Sequence, residues 1–457
     1  MSLNRWTQAS AMDHVRADVW IVEAQEWKHL NPSSTVKLPD AAPTVVFGTK
    51  PGAAIVTPLG STRRKTQKNF RQAAQLAVQL KPERIGVQMG PLTSDMLRAA
   101  LWGIGQGLYR FRQEDAEVQP EVTVVSNEAL TVEFAILQHQ DFVRDWVNCP
   151  SNLKPPVRLA KMMQDRSPDT IEWSLFDQKA LVDMGAGGVV GVGQGSHRPP
   201  VMLIGKYAGK PGDPWIALVG KGIVFDSGGI SIKPGEGMGR MKGDMGGAAA
   251  VAGALRAIAD LKVPANVMAV LPLAENLPGG GAYRPGDILT MMDGTQVEIV
   301  STDAEGRLVL ADAVTWARQN GAAVVIDMAT LTGANVVALG GIRSALVTNH
   351  QPLASLVAGA AERAAEPAWQ LPHDEDYADF NQTSAADIKN SGGRPAGTIT
   401  AGLFIGHFAG DTPWVHLDIA GLSFEAEGSA IGAGATGYGV ALLVETVEAW
   451  SHSSKAF

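Results

Sequence analysis

The chain has 457 residues, 45% hydrophobic and 18% charged, a balance that supports large buried cores and excludes an intrinsically disordered polymer. This length exceeds the ~250 to 300 residues at which a single core stops growing, so two domains are expected. A net charge of -8 argues against nucleic acid as the main partner, because phosphate backbones demand concentrated positive charge.

Short β-branched runs at Val19–Val22, Thr44–Phe47, Ile85–Val87 and Val122–Val125 read as strands. Helical patterns at Asn69–Leu80 and Ser94–Phe111 lie between them, the alternation of an α/β layer. Arg63, Arg64, Lys65, Lys68 and Arg71 form a basic cluster at a predicted helix start. A solvated face is the reading favoured for it, and a nucleic-acid-binding regulator is the alternative it would support.

A helix predicted over Thr131–Val147 leads into Asn148-Cys-Pro-Ser-Asn-Leu-Lys-Pro-Pro156, whose prolines break helices. The domains are accordingly placed at 1–147 and 148–457. Cys149 is the only cysteine, which excludes an intrachain disulfide and fits a reducing compartment; it reads as an apolar filler, not a nucleophile. Met1 to Gln8 lacks a basic stretch followed by an apolar one, and no apolar run reaches the ~18 residues of a membrane helix. A cytoplasmic location is the expectation.

Beyond the junction, apolar runs at Pro200–Gly205, Trp215–Val219, Ala265–Pro272 and Ala322–Met328 suit strands buried on both faces. Helices are predicted at Gly246–Leu261 and Leu308–Gln319. Polar clusters fall where these strands end, the usual place for ligands in open α/β sheets. Glycine-rich Met184–Ser196 contains no G-x-G-x-x-G and is read as a flexible turn, not a dinucleotide loop.

Asp226-Ser-Gly-Gly229 is similar to the nucleophile loop of trypsin-like enzymes and to half of an aspartic-protease dyad. The first chemistry needs His and Asp partners on a β-barrel, usually disulfide-braced, and the second needs another Asp-Thr-Gly or Asp-Ser-Gly, which the sequence lacks. Lys221 and Lys233 flank Asp226, Asp244 precedes a predicted helix, and Asp303 and Glu305 are two residues apart. In an extended segment the last two would point to one side, about 6.5 Å apart. Crowded carboxylates resist ionising unless cations separate them. Asp226, Asp244, Asp303 and Glu305 carry four negative charges, which two divalent ions would balance, as in two-metal hydrolases.

Ser301-Thr-Asp-Ala-Glu-Gly-Arg-Leu308 resembles the Asn-Thr-Asp-Ala-Glu-Gly-Arg-Leu hallmark of the leucyl aminopeptidase (M17) family. Asn148–Pro156, Asp327–Ala334, Asp387–Gly392 and His416–Gly421 extend the likeness over 148–445. Ser301 replaces the family's Asn, and Ala441 stands where many members carry Arg.

The resemblance implies an α/β fold in two domains: a smaller N-terminal α/β domain and a larger catalytic domain with a mixed central sheet flanked by helices. It implies one metal held by Asp226, Asp303 and Glu305, and another held by Lys221, Asp226, Asp244 and Glu305. Lys221 would be neutral, and the oxygen-rich set suits Mn²⁺ or Mg²⁺ as well as Zn²⁺. Lys233 would stabilise the oxyanion, and Arg307 would hold a bicarbonate acting as general base. Met241, Thr330 and Gly333 would line the pocket for the first side chain. The implied protein is a homohexameric aminopeptidase acting on peptides with a free N-terminus.

Overall fold

In a computed structural model of the chain, the described residues are 5–12, 15–32, 42–47, 53–111, 120–425 and 434–453. The first four residues, part of the segment read for a leader, lie outside them. The chain divides into two compact units, one running to Asp141 and the other starting at Phe142. That boundary falls inside the helix Thr131–Asn148, upstream of the proline-rich stretch. The C-terminal end of this helix bonds into the second unit, where Arg144 Nε donates to Thr436 O (3.0 Å) and Asn148 Oδ1 accepts from Ala435 N (3.1 Å).

The first unit holds a six-stranded sheet in the order Trp6–Ala9, Glu121–Val125, Arg84–Gln88, Val19–Glu23, Ala53–Thr57, Thr44–Phe47. All neighbours are parallel except the last pair. Helices Arg63–Gln79 and Ser94–Leu108 complete the layer. The basic cluster does open a helix, capped by Thr62, but it is not a free cationic stripe. Arg71 is buried, and Arg63 Nε pairs with Asp95 Oδ2 at 2.8 Å.

The second unit is built on a nine-stranded mixed sheet. Its centre runs Trp414–Asp418, Ala322–Ala329, Trp215–Gly220, Asn266–Asn276, all parallel. Antiparallel Val201–Ala208 and Ser344–Thr348 flank it. Every residue of Asn266–Asn276 is buried, as its near-continuous apolar sequence requires. Ala217, Val219, Met268, Val270 and Val325 share one core with Leu308 and Val309 of the helix Gly306–Gln319. The helix Gly246–Asp260 also packs on the sheet and against the helix Val440–His452.

Met184–Ser196 differs from the expected flexible turn, because Gly187–Gly193 forms a short, mostly buried helix. A Cβ on Gly188 would lie 2.4 Å from Leu308 O, so glycine there permits close packing against the neighbouring helix. Cys149 is buried and burial raises its thiol pKa, as suits a filler. Among the described residues, no helix is long and apolar enough to cross a membrane.

Candidate metal centre

Two consecutive strands set the frame. Trp215–Gly220 pairs with the first part of Asn266–Asn276, and Gly222–Asp226 pairs with its last part. Lys221 sits at the break between them, its N–H donating to Met328 O (3.1 Å) and its carbonyl accepting from Ala248 N (2.8 Å). A Cβ on Gly306 would come within 2.8 Å of the Lys221 side chain, so this glycine leaves room for the amine. Asp226 ends its strand, and the chain then turns sharply through Gly228 (φ 86°) and Gly229 (φ 67°). Side chains rarely adopt such backbone angles, which explains the paired glycines better than either protease signature does.

Asp226, Asp244 and Glu305 are buried, and each brings one carboxylate oxygen within 4.8 Å of the others. Lys221 Nζ lies 2.8 Å from Asp244 Oδ2 and 3.0 Å from Glu305 Oε1, and donates to Thr330 O at 3.0 Å. Lys233 Nζ lies 2.8 Å from Asp226 Oδ2 and also pairs with Asp303 Oδ1. Asp303 therefore stands apart from the buried trio, 37% exposed, with Lys233 between it and Asp226. The segment is not extended as the spacing suggested. Thr302 and Asp303 form a turn and Glu305 is already helical (φ -77°, ψ -37°), with Asp303 paired to Lys233 and Glu305 to Lys221.

Asp244 does not cap the helix that follows it. Met245 precedes the helix Gly246–Asp260, with no side-chain cap, while Asp244 Oδ1 accepts from Thr330 Oγ1 at 2.7 Å. Thr330 thus holds Asp244 in place. Met241 lies half-buried in the 3₁₀ turn Met238–Gly243, and Gly333 opens the helix Gly333–Leu339 onto space.

Burial, with repulsion from Glu305, pushes the Asp226 carboxyl up to about 6. Burial lifts Asp244 to about 8 although Lys221 opposes it, and Asp303 is raised mainly by burial. Burial also acts to raise Glu305, but Lys221 and Lys233 outweigh it and hold that carboxyl below its usual range. Burial disfavours the charge on both lysines, yet the surrounding carboxylates keep both ammoniums well above the ordinary range. Two lysines against four acids leave negative charge uncompensated in a largely buried site. Glu305 Oε2 has no hydrogen-bond partner among the described residues. This donor set fits divalent cations.

Arg307, in the first turn of Gly306–Gln319, is buried; Nη1 donates to Asn390 O at 2.8 Å and Nε is unpartnered among the described residues. Burial lowers its pKa to about 10. A guanidinium with an unused N–H and no ion pair among the described residues fits a small oxyanion.

The other matching motifs hold the frame. Asn390 fixes the hallmark segment by accepting from Val300 N (2.8 Å) and donating to Ser301 O (2.7 Å). Asp418 accepts from Leu331 N (3.2 Å) and Thr332 Oγ1 (2.6 Å), fixing the loop after Thr330. His416 Nδ1 and Asp327 Oδ1 lie 2.6 Å apart on adjacent strands, and Trp414 Nε1 donates to Asp327 Oδ2 at 2.7 Å. Lys154, from the proline-rich stretch, is wholly buried and donates to Trp146 O (2.6 Å) and Lys242 O (2.8 Å), anchoring the turn before Asp244. Sequence reasoning assigned none of these roles, although the motif strings contained the residues.

Residues 141–444 match the model of the cytosol aminopeptidase family, catalytic domain. A probable cytosol aminopeptidase of Syntrophotalea carbinolica is 48% identical over 308 residues, 67% of this chain and 62% of that protein. The alignment thus spans less than two thirds of that relative's length. One from Koribacter versatilis is 37% identical over 442 residues, 88% of this chain and 86% of that protein. The structure resembles the bottromycin maturation enzyme BotP in complex with Mn (TM-score 0.85, 33% identity, 96% and 100% of the two chains). It also resembles apo leucyl aminopeptidase from Trypanosoma cruzi (TM-score 0.86, 25% identity, 97% of each chain).

Proposed function

The chain belongs to the cytosol aminopeptidase family, M17, and on that premise we propose that it is a two-metal aminopeptidase releasing the N-terminal residue of peptides. One observation carries this reading: Asp226, Asp244 and Glu305 converge, buried, within 4.8 Å beside two lysines. Asp226, Asp303 and Glu305 would hold one cation, and Lys221, Asp226, Asp244 and Glu305 the other. Two bound divalent ions supply Lewis acidity toward the scissile carbonyl and lower the pKa of the attacking water.

The chain's own groups do the rest. Lys233 is 23% exposed, so its amine can reach solvent and substrate, and there it stabilises the oxyanion that develops on the carbonyl. Arg307 would hold a small oxyanion such as bicarbonate, which would supply the general base for the attacking water. Asp244, held by Thr330, faces the substrate's free α-amine, so a blocked N-terminus is excluded. With cations among the acids around it, Lys221 would lose its proton to solvent and serve as a neutral ligand. Met241, Thr330 and Gly333 line the pocket for the first side chain. Because BotP binds Mn, Mn²⁺ is the first cation to test, followed by Zn²⁺ and Mg²⁺. A cytoplasmic homohexamer is the expected form, and light scattering tests the subunit count.

Metal analysis combined with a panel of aminoacyl amides and one N-acetylated control tests the assignment. Metal-dependent cleavage of the free amines alone is expected; equal cleavage of the acetylated control would refute it. The nucleic-acid reading gains nothing from the basic cluster, where Arg71 is buried and Arg63 is paired.

A further inference from the structure

Asn276 lies directly beside Asp226 in the register of two parallel strands and is wholly buried. Its Nδ2 donates one N–H to Asp226 Oδ1 (2.8 Å) and the other to Thr302 O (2.9 Å). Both partners are acceptors only, so the amide nitrogen must face them. Asp226 Oδ1 also accepts from Gly228 N at 2.9 Å, which uses both of its lone pairs. Only Oδ2, opposite Lys233, remains for a cation. The carbonyl of Asn276 accepts from Ser227 N (3.0 Å) and Ser227 Oγ (2.8 Å), tying down the same turn.

We propose that Asn276 is a positioning residue of the metal centre. It selects Oδ2 of Asp226 as the oxygen presented to the cations, and it locks the Asp226 turn to the segment carrying Asp303 and Glu305. This inference rests on the two-metal reading above. The Oδ1 of Asn276 has no hydrogen-bond partner among the described residues, so the side chain acts through its donor group. An Asp here would keep the shape but set acceptors against acceptors.

Asn276→Asp separates charge from orientation, because its extra negative charge alone would tighten cation binding whereas the lost donor would loosen it. The test is calorimetric titration of metal-stripped full-length protein with Mn²⁺, with circular dichroism and melting curves recorded for each variant. Asn276→Asp and Asn276→Ala are both expected to bind Mn²⁺ about 10- to 100-fold more weakly, as is usual when a group orienting a ligand is lost. Tyr283→Phe removes the other side-chain donor to Thr302 O (2.8 Å) but leaves Asp226 untouched, and is expected to keep the unmodified affinity. Equal or tighter binding by Asn276→Asp, or an equal loss in Tyr283→Phe, would overturn the proposal. If Asn276→Ala fails to fold, the near-isosteric Asp variant and Tyr283→Phe decide the matter. Failure of the unmodified protein to bind any divalent cation would instead sink the two-metal reading itself.

Discussion

Lys233 Nζ stands 2.8 Å from Asp226 Oδ2 and pairs at the same time with Asp303 Oδ1, so one ammonium bridges two carboxylates proposed as cation ligands. Metal binding at these proposed ligands would draw Lys233 off at least one of them. That movement would release it toward the substrate carbonyl.

Lys233→Ala is therefore expected to lower kcat by roughly 100- to 1000-fold, the usual effect of removing one oxyanion donor. Metal stoichiometry should stay the same and affinity should not fall, since a competing cation is gone. Elemental analysis of the variant checks this, and loss of metal would make Lys233 a ligand.

Glu305→Gln removes a carboxylate that is 2% exposed and paired with Lys221 at 3.0 Å. Turnover should disappear and metal content per subunit should fall. Full activity in steady-state assays would contradict the dinuclear mechanism.

Thr330→Val keeps the shape of the side chain but deletes the hydroxyl that donates to Asp244 Oδ1 at 2.7 Å. Metal affinity should weaken about 10-fold, the lower end for loss of a supporting hydrogen bond, and Thr330→Ser should restore it. Competition against a chelator measures both variants.

Glu366 is buried and accepts from Gly439 N (3.0 Å) and Leu442 N (2.9 Å) at the start of the helix Val440–His452. Burial pushes its carboxyl up to about 8, against an ordinary value of 4.5. Between these values the folded state holds more protons than the unfolded state, so stability falls as pH rises across the window. Glu366→Gln keeps an acceptor without the charge. Its melting temperature relative to the unmodified protein should increase between pH 5 and pH 8.5, by an amount equivalent to a few kcal/mol at most. An unchanged difference would show that Glu366 does not titrate in this window.

The strands Trp215–Gly220 and Ala322–Ala329 were legible because runs buried on both faces must be apolar, and the acids stood out because charge on glycine-rich turns fills no core. Asp303 and Glu305 show where such reading stops. Their spacing suggested an extended pair, but the early start of the helix at Gly306 places them in a turn that runs into a helix. Likewise, Gly188 belongs to a packed helix because the Gly306–Gln319 helix lies against it, a contact more than a hundred residues away in sequence.

By itself, the sequence determined the alternating layers, the residue types able to bind cations and the family, since composition and local order encode these directly. Only the tertiary structure decided which carboxylates share one buried space, which lysine faces which acid, and that Asn276 and Thr330 orient Asp226 and Asp244. Those facts depend on strand register and turn geometry. Both are fixed by packing between segments far apart in the chain, and no local pattern records it.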